Sequence, residues 1–410
     1  MHKKECSMIL SFRDQQCLCT LVKIAFWDNE NNILEADWNQ VEQTANQQGV
    51  LWMLYLGAKA CADHIPAEKL RAWRANMIGT VMRNTAINEV QNQVVSFLKE
   101  RGIRAAVLKG LSCSMYYPLP ETRALGDIDL LIDKENLPLV DEFLKKNGFR
   151  PEEKEHPFHV CYYGKGVAVE VHYEITQFPD SKGGKAVQEI TKKFLDEVKT
   201  AHVNGMSFPV LSDSHQALML LTHMERHLVI GGIGLRQLCD WAMFVNGSAS
   251  KHWREKTLSM LSDCGLLTFA KVVTKTCVNF LGLSSEKAAW CMDVDDSLTE
   301  LMIQDIFRSG SMGAAEEDNA SSLFFDRTQL GKAGQNRLNG LLLRLNQLSY
   351  KHFPYTRKWK ILLPIYWVYI PLRYLVRSML GLRPKKSVAR LLETSGRRQK
   401  LYKSLKLYQK

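Results

Sequence analysis

The stretch VLKGLSCSMYYPLPETRALGDIDLLID, residues 107–133, decides the fold of this 410-residue chain. Apolar residues at both ends predict two short buried strands. Lys109-Gly110 predicts a turn in which the backbone can approach a ligand closely. Asp127 and Asp129 begin the second strand. Because residues i and i+2 of a strand point to the same side, both carboxylates should leave the sheet on one face.

Two like charges on one face need compensation. At a separation of about 4 Å and an effective dielectric near 20 they repel by roughly 4 kcal/mol. Either one carboxylate is protonated, as in an acid–base dyad, or a divalent cation such as Mg²⁺ binds between them. The simpler alternative is that Asp127 caps a turn and Asp129 lies on the solvated face of an edge strand. The glycine turn upstream and a third acidic residue downstream favour a functional pair.

The third acidic residue is Glu170, in the segment VAVEVHYEI at 167–175. Valines alternate there with Ala168, Glu170 and His172, which is the period-2 signature of a strand. If this strand lies beside the aspartate strand, three carboxylates converge and can hold two Mg²⁺ ions. A solvated Glu170 paired with Lys165 is the alternative. His172 is expected to contact a ligand, to steady Glu170, or to be an ordinary buried strand histidine.

These residues resemble the polymerase-β-type nucleotidyltransferase superfamily, in which a strand ending in glycine precedes Asp-x-Asp and a later single acid. The more specific likeness is to the bacterial uncharacterised nucleotidyltransferase family. It covers roughly residues 35–245. It is carried by Leu108-Lys109-Gly110, Tyr117-Pro118, Arg123, Asp127-Ile128-Asp129-Leu130-Leu131-Ile132 and Glu170-Val171-His172-Tyr173, and more weakly by Asp37-Trp38, His223, His227, Leu235-Arg236 and Asp240. One departure is Leu111, where the superfamily has Gly or Ser; Ser112 follows one place later.

The resemblance implies an enzyme that moves a nucleoside monophosphate from an NTP, ATP included, to an acceptor hydroxyl and releases pyrophosphate. Asp127, Asp129 and Glu170 would be the catalytic and metal-binding residues, with Mg²⁺ or Mn²⁺ as the cofactor. The predicted nucleotide-binding residues are Lys109, Gly110, Ser112 and Arg123. The predicted supporting residues are His172, Arg236 and Asp240.

The periodicity predicts a segment of strands and helices between two helical regions. With the resemblance, this implies an α+β fold that has a small mixed β-sheet nucleotidyltransferase core. The predicted strands are 104–108, 127–133, 158–163, 167–173 and a hairpin of 199–203 with 206–210. The predicted divisions are an N-terminal helical region (1–102), the α/β core (103–210), a C-terminal helical domain (211–350) and a basic aromatic tail (351–410).

Two i, i+4 pairs lie on the predicted C-terminal helices. His223 and His227 have a spacing that can bind a metal, although packing is the simpler interpretation. Arg236 and Asp240 predict a salt bridge on one helix face or, alternatively, a helix that brings Arg236 near a phosphate.

The positive charge of the chain resides in its tail. Residues 351–410 carry 16 Lys and Arg and one acidic residue, so the rest has a net charge of −4 in a chain of +11. A body without its own basic excess argues against a nucleic-acid partner and favours a sugar, a small molecule or a protein as the acceptor. The aromatic, apolar segment 361–376 with basic flanks is too short to span a membrane. It is typical of a segment lying on anionic lipid, with a helix packed on the core as the alternative.

The N-terminus and the cysteines predict the compartment. The apolar run that includes Met8 is interrupted by Arg13 and Asp14, so it makes a poor secretory signal, and the ten cysteines show no Cys-x-x-Cys spacing. We expect reduced thiols in a protein that is cytoplasmic or peripheral at the inner face of the membrane. A second class of function remains open: a non-catalytic nucleotide-binding or assembly protein that acts at the membrane surface through its tail.

Overall fold

A computed structural model of the chain describes residues 12–27, 35–153, 156–248, 251–310, 330, 337–379 and 388–409. Residues 1–11, on which the prediction about a secretory signal partly rests, lie outside these ranges. The α-helices of the described residues are α1 Phe12–Trp27, α2 Trp38–Gln47, α3 Leu54–Ala58, α4 Ala67–Glu100, α5 Leu111–Ser114, α6 Leu137–Lys146, α7 Lys182–Thr191, α8 Asp213–Ile230, α9 Leu235–Gly247, α10 Lys251–Asp263, α11 Leu267–Leu281, α12 Asp296–Ser309, α13 Arg337–His352, α14 Leu363–Met379 and α15 Val388–Leu405.

The strands form one mixed sheet in the order β3-β4-β5-β2-β1-β7-β6. They are β1 Ala105–Val107, β2 Ile128–Ile132, β3 Arg150–Pro151, β4 His159–Gly164, β5 Val167–His172, β6 Val198–Val203 and β7 Met206–Leu211. β2 pairs with β5, and β1 with β7, in parallel, whereas the remaining neighbours are antiparallel. The α+β fold with a small mixed sheet is therefore confirmed.

Local sequence signals account for most element boundaries. The hairpin between β6 and β7 turns at Asn204 and Gly205, both with positive φ (49° and 78°), as a tight hairpin turn with Asn-Gly requires. Asp37 caps α2, because its carboxylate accepts hydrogen bonds from the amides of Asn39 and Gln40. The edge strand β3 has only two residues, and the sequence analysis missed it because so short a segment shows no periodicity.

Both faces of the sheet are apolar. Successive strand residues point to opposite faces, and each face packs in its own hydrophobic cluster. Val107 and Leu130 face a cluster that includes Val90 and Val94 of α4. Leu131 faces the larger cluster, together with the buried residues of α8, α9 and α11. Since Asp129 and Leu131 are two positions apart on β2, the Asp129 side chain leaves the sheet on the side of α8 and α9.

The tail contains two helices that differ in how far their side chains are buried. Helix α15 packs on the body, where fully buried Arg398 forms an ion pair with Asp305. Just beyond it, the hydroxyl of Tyr408 donates to Glu225 of α8. Helix α14, by contrast, leaves several large apolar side chains exposed. Within the described ranges, every helix is too short or too polar to cross a lipid bilayer.

Candidate active site

Three acidic side chains meet over neighbouring strands. β2 and β5 run parallel, and Asp129 lies directly opposite Glu170 in their register. Asp127 precedes β2 by one residue and so shares the face of Asp129. One oxygen from each carboxylate lies within 4.8 Å of the other two. The structure thus brings together the three side chains that the sequence predicts to meet.

Asp129 is the most enclosed of the three, with 1% of its surface exposed. Its Oδ1 lies 2.8 Å from Lys109 Nζ and 3.1 Å from His172 Nε2. The same His172 nitrogen lies 3.3 Å from Glu170 Oε2, so His172 links two of the carboxylates. Lys165, the alternative partner for Glu170, instead donates to Gln93.

The second oxygen of Asp129 is buried and has no hydrogen-bond partner among the described residues. A buried carboxylate oxygen is costly without a donor or a cation, so native structures rarely leave one unmatched. The neighbouring carboxylates add hard oxygen donors around it, and these are the ligands that Mg²⁺ and Mn²⁺ take. The donor set therefore fits a divalent cation.

The charges of the site are strongly coupled. Burial alone would raise the pKa of Asp129, but Lys109 and His172 lower it well below its usual range. The hydrogen bond from His172 lowers the pKa of Glu170. The negative charge of Asp129, together with burial, raises the pKa of Asp127. Both Asp129 and Glu170 are thus ionised near neutral pH, which is the form that a cation binds.

The turn after β1 delivers Lys109 to the carboxylates. The amide of Leu108 donates to the carbonyl of Asp129, which fixes the end of β1 beside β2. Gly110 then turns the chain with φ +65°, a conformation that a residue with a side chain rarely adopts. Burial opposes the charge of Lys109, whereas Asp129 raises its pKa, so the ammonium stays protonated.

A cavity of about 350 Å³ opens over these groups. Its lining includes Lys109, Gly110 and the three carboxylates on the face of the sheet, together with residues of α8 and α9 that form the helical wall. His223 and His227 lie in that wall with ring centroids 4.4 Å apart. Burial lowers the pKa of His227 to about 4, so its imidazole is neutral at pH 7. Neither belongs to the groups of potential metal ligands found among the described residues.

Arg123 lines the cavity, but its guanidinium group is already paired with a carboxylate. Its Nε and Nη2 bind the two oxygens of Asp240 at 3.0 and 2.6 Å, and Tyr117 donates a third hydrogen bond to Asp240. Both partners of the ion pair are buried. The backbone around Arg123 is held by Asn84 of α4, which accepts from Leu125 and donates to the carbonyl of Arg123.

Because Asp240 is occupied by Arg123, the predicted helix-face pair between Arg236 and Asp240 is not formed. Arg236 is half-buried in the cavity wall, and it has no ion-pair partner among the described side chains. Burial, with a further contribution from nearby Arg123, lowers its pKa. Ser112 lies apart: its hydroxyl is buried and is 3.4 Å from Gln216.

Sequence reasoning missed His159 of β4. It pairs with His172 across the β4–β5 hairpin, with ring centroids 4.7 Å apart, and burial lowers its pKa to about 4. Together with Glu170 and His172 it forms a second group that could hold a metal ion. The signal was available, since pairing the two predicted strands as a hairpin sets residue 159 opposite 172.

Comparison with known proteins places the chain in a family. A solved structure of an antigenic nucleotidyltransferase-like protein from Paracoccidioides brasiliensis matches with 14% identity and a TM-score of 0.30, over 49% of this chain and 96% of that one. No curated protein matches. The family model of the uncharacterised nucleotidyltransferases matches residues 35–282, which include every group described above. With more than half of its length matched, this chain belongs to the uncharacterised nucleotidyltransferase family.

Proposed function

We propose that this protein transfers a nucleoside monophosphate from an NTP to an acceptor hydroxyl, with release of pyrophosphate, in the manner of polymerase-β-type nucleotidyltransferases. The observation that carries the proposal is the convergence of Asp127, Asp129 and Glu170 in a cavity that Arg236 also lines. Carboxylates and a cation that line the same cavity suit a metal–triphosphate group, which carries charges of both signs.

The three carboxylates would hold Mg²⁺ or Mn²⁺, and the unmatched oxygen of Asp129 supports this assignment. When bound, such ions supply charge neutralisation for the triphosphate and lower the pKa of the attacking hydroxyl. His172 contributes by fixing the carboxylates of Asp129 and Glu170 relative to each other. Catalysis of phosphoryl transfer consists mainly of positioning and electrostatic stabilisation, so this rigidity matters.

The remaining polar groups bind and orient the nucleotide. Lys109 is charged and lies beside Asp129, where it would stabilise negative charge on the phosphates. Gly110 lets the backbone approach them. We assign a phosphate to Arg236, because this guanidinium is half-buried and has no ion-pair partner among the described side chains. Arg123 and Asp240 would support the part of the cavity lining that holds Arg236. Ser112 would bind the nucleotide only after its buried hydroxyl moved toward the cavity.

The acceptor is proposed to be a sugar, a small metabolite or a protein side chain. The net charge of −4 over residues 1–350 supports this, since nucleic-acid-binding domains carry a basic face. A cytoplasmic NTP pool would supply the donor.

The test incubates purified protein with each α-³²P-labelled NTP, Mg²⁺ or Mn²⁺ and a cell extract, and follows label into an acceptor fraction. Asp129→Asn should lower transfer by at least about a hundredfold, because it removes a ligand and the partner of Lys109. Asp133→Asn is the matched control, since Asp133 follows the same strand but pairs with Arg104 outside the cavity. Equal transfer by wild-type protein and Asp129→Asn would contradict the proposal.

A second candidate is a non-catalytic assembly protein that works at a membrane surface. The exposed apolar residues of α14 favour it. It gives no task to the three carboxylates or to the cavity, so we prefer the enzyme. Label transfer that requires Asp129 would exclude the second candidate.

A further inference from the structure

Helix α14 presents an apolar stripe to solvent. Its exposed members recur at three- and four-residue steps, which at 100° per residue confines them to an arc of about 100°. They are Ile365, Val368, Tyr369, Leu372 and Val376. Ile361 and Trp359, just before the helix begins, extend the exposed apolar surface. Val368 is 69% exposed and Ile361 is 83% exposed. Proteins seldom leave contiguous apolar surface open unless something binds to it.

The opposite side of α14 is anchored, so the direction of the stripe is fixed. Leu363 is buried, and Trp367 donates a hydrogen bond from Nε1 to Asn346 of α13. The rings of Phe353 and Tyr366 contact each other in a tilted arrangement, with centroids 4.4 Å apart. The inward face thus packs on α13, while the stripe faces away from it.

Positively charged side chains lie next to the stripe. Arg357, Lys358 and Lys360 precede the helix and are exposed, and exposed Arg373 lies at the edge of the stripe. No acidic residue occurs in the sequence between Asp326 and Glu393. Apolar side chains flanked only by positive charge complement a lipid surface that combines acyl chains with anionic headgroups.

We propose that this stripe docks the protein on an anionic lipid surface, with α14 lying parallel to the membrane. Helix α14 has 17 residues, two of them the arginines Arg373 and Arg377, so it suits the interface better than a crossing. A second copy of the chain fits less well, because a two-fold contact would bring the same cations together. The proposal is independent of the proposed nucleotide transfer, because the residues that line the cavity belong to other elements.

The experiment sediments the purified full-length protein with vesicles of phosphatidylcholine alone and of phosphatidylcholine with one-third phosphatidylglycerol. We expect binding to the anionic vesicles only, weakened by salt because the headgroup attraction is screened. The double substitution Ile365→Asp with Val368→Asp should lower the partition coefficient at least about tenfold. Replacing Lys358 or Lys360 by Gln should lower it about fivefold for each charge.

The matched control is Ile78→Asp with Met82→Asp, which places two charges on exposed apolar positions of α4 (45% and 70% exposed). This control should bind vesicles like the wild type. Circular dichroism verifies that each variant is folded. Asp129→Asn should also bind normally, so loss of transfer and loss of docking are told apart.

Three outcomes would overturn the proposal. The first is that the wild-type protein stays in the supernatant. The second is that the stripe variant binds as well as the wild type, and the third is that neutral and anionic vesicles are bound equally. Light scattering that shows a dimer broken by the stripe substitutions would identify a second copy as the occupant instead.

Discussion

The buried ion pair between Arg123 and Asp240 allows a quantitative test of how the site wall is built. Asp240→Asn keeps the shape of the side chain and removes its charge. Arg123 would then be a buried cation without its counter-ion, since both of its bonds to the carboxylate join buried side chains. Breaking a buried pair from one side costs about 3–5 kcal/mol. Asparagine can still accept from Tyr117 or Arg123, so we expect a loss near the lower limit, about 3 kcal/mol.

The measurement is urea unfolding followed by circular dichroism, with the midpoint and slope compared between variants. Asp133→Asn is the control, because its partner Arg104 is exposed and also binds Asp196. Its unfolding midpoint should match that of the wild type.

The single and the double substitution should differ in their effect on stability. Replacing both partners, with Arg123→Met and Asp240→Leu, should cost less than Asp240→Asn alone, because no buried charge is left over. The argument would be refuted by a single variant within about 1 kcal/mol of the wild type, or by a double variant less stable than the single one.

Three further predictions concern other parts of the fold. Arg236→Met should raise the KM for the NTP about tenfold or more in transfer assays, with partial recovery in Arg236→Lys, whereas an unchanged KM would remove Arg236 from the phosphate site. Gly183→Ala should lower the free energy of unfolding by about 1–3 kcal/mol, because its Cβ would lie 2.4 Å from the carbonyl oxygen of Cys264. Gly79→Ala, with nothing within 4 Å, should instead raise it slightly, and equal effects in urea unfolding would contradict this. The free energy of unfolding should fall as the pH drops from about 6.5 toward 4, because His227 then binds a proton in the unfolded chain but stays neutral in the folded protein, where it is half-buried and its pKa is about 4. His227→Asn should reduce that pH dependence.

The sequence by itself determined the local elements and the identity of the acidic residues. Alternating valines marked β5, Asn204-Gly205 marked the hairpin, and Asp37 marked the start of α2. These features depend on a few neighbouring residues and on backbone conformations that only certain side chains allow, so they can be read along the chain.

Only the tertiary structure decided which groups share a wall or a partner. The strand order β5-β2-β1-β7 sets Glu170 beside Asp129. The packing of α9 places Asp240 in an ion pair with Arg123, so Arg236 lines the cavity without an ion-pair partner among the described side chains. It also separated the tail into a packed α15 and an exposed face of α14. Partners far apart in sequence are chosen by burial and by competition for the same carboxylate, and spacing along one helix carries no information about that competition.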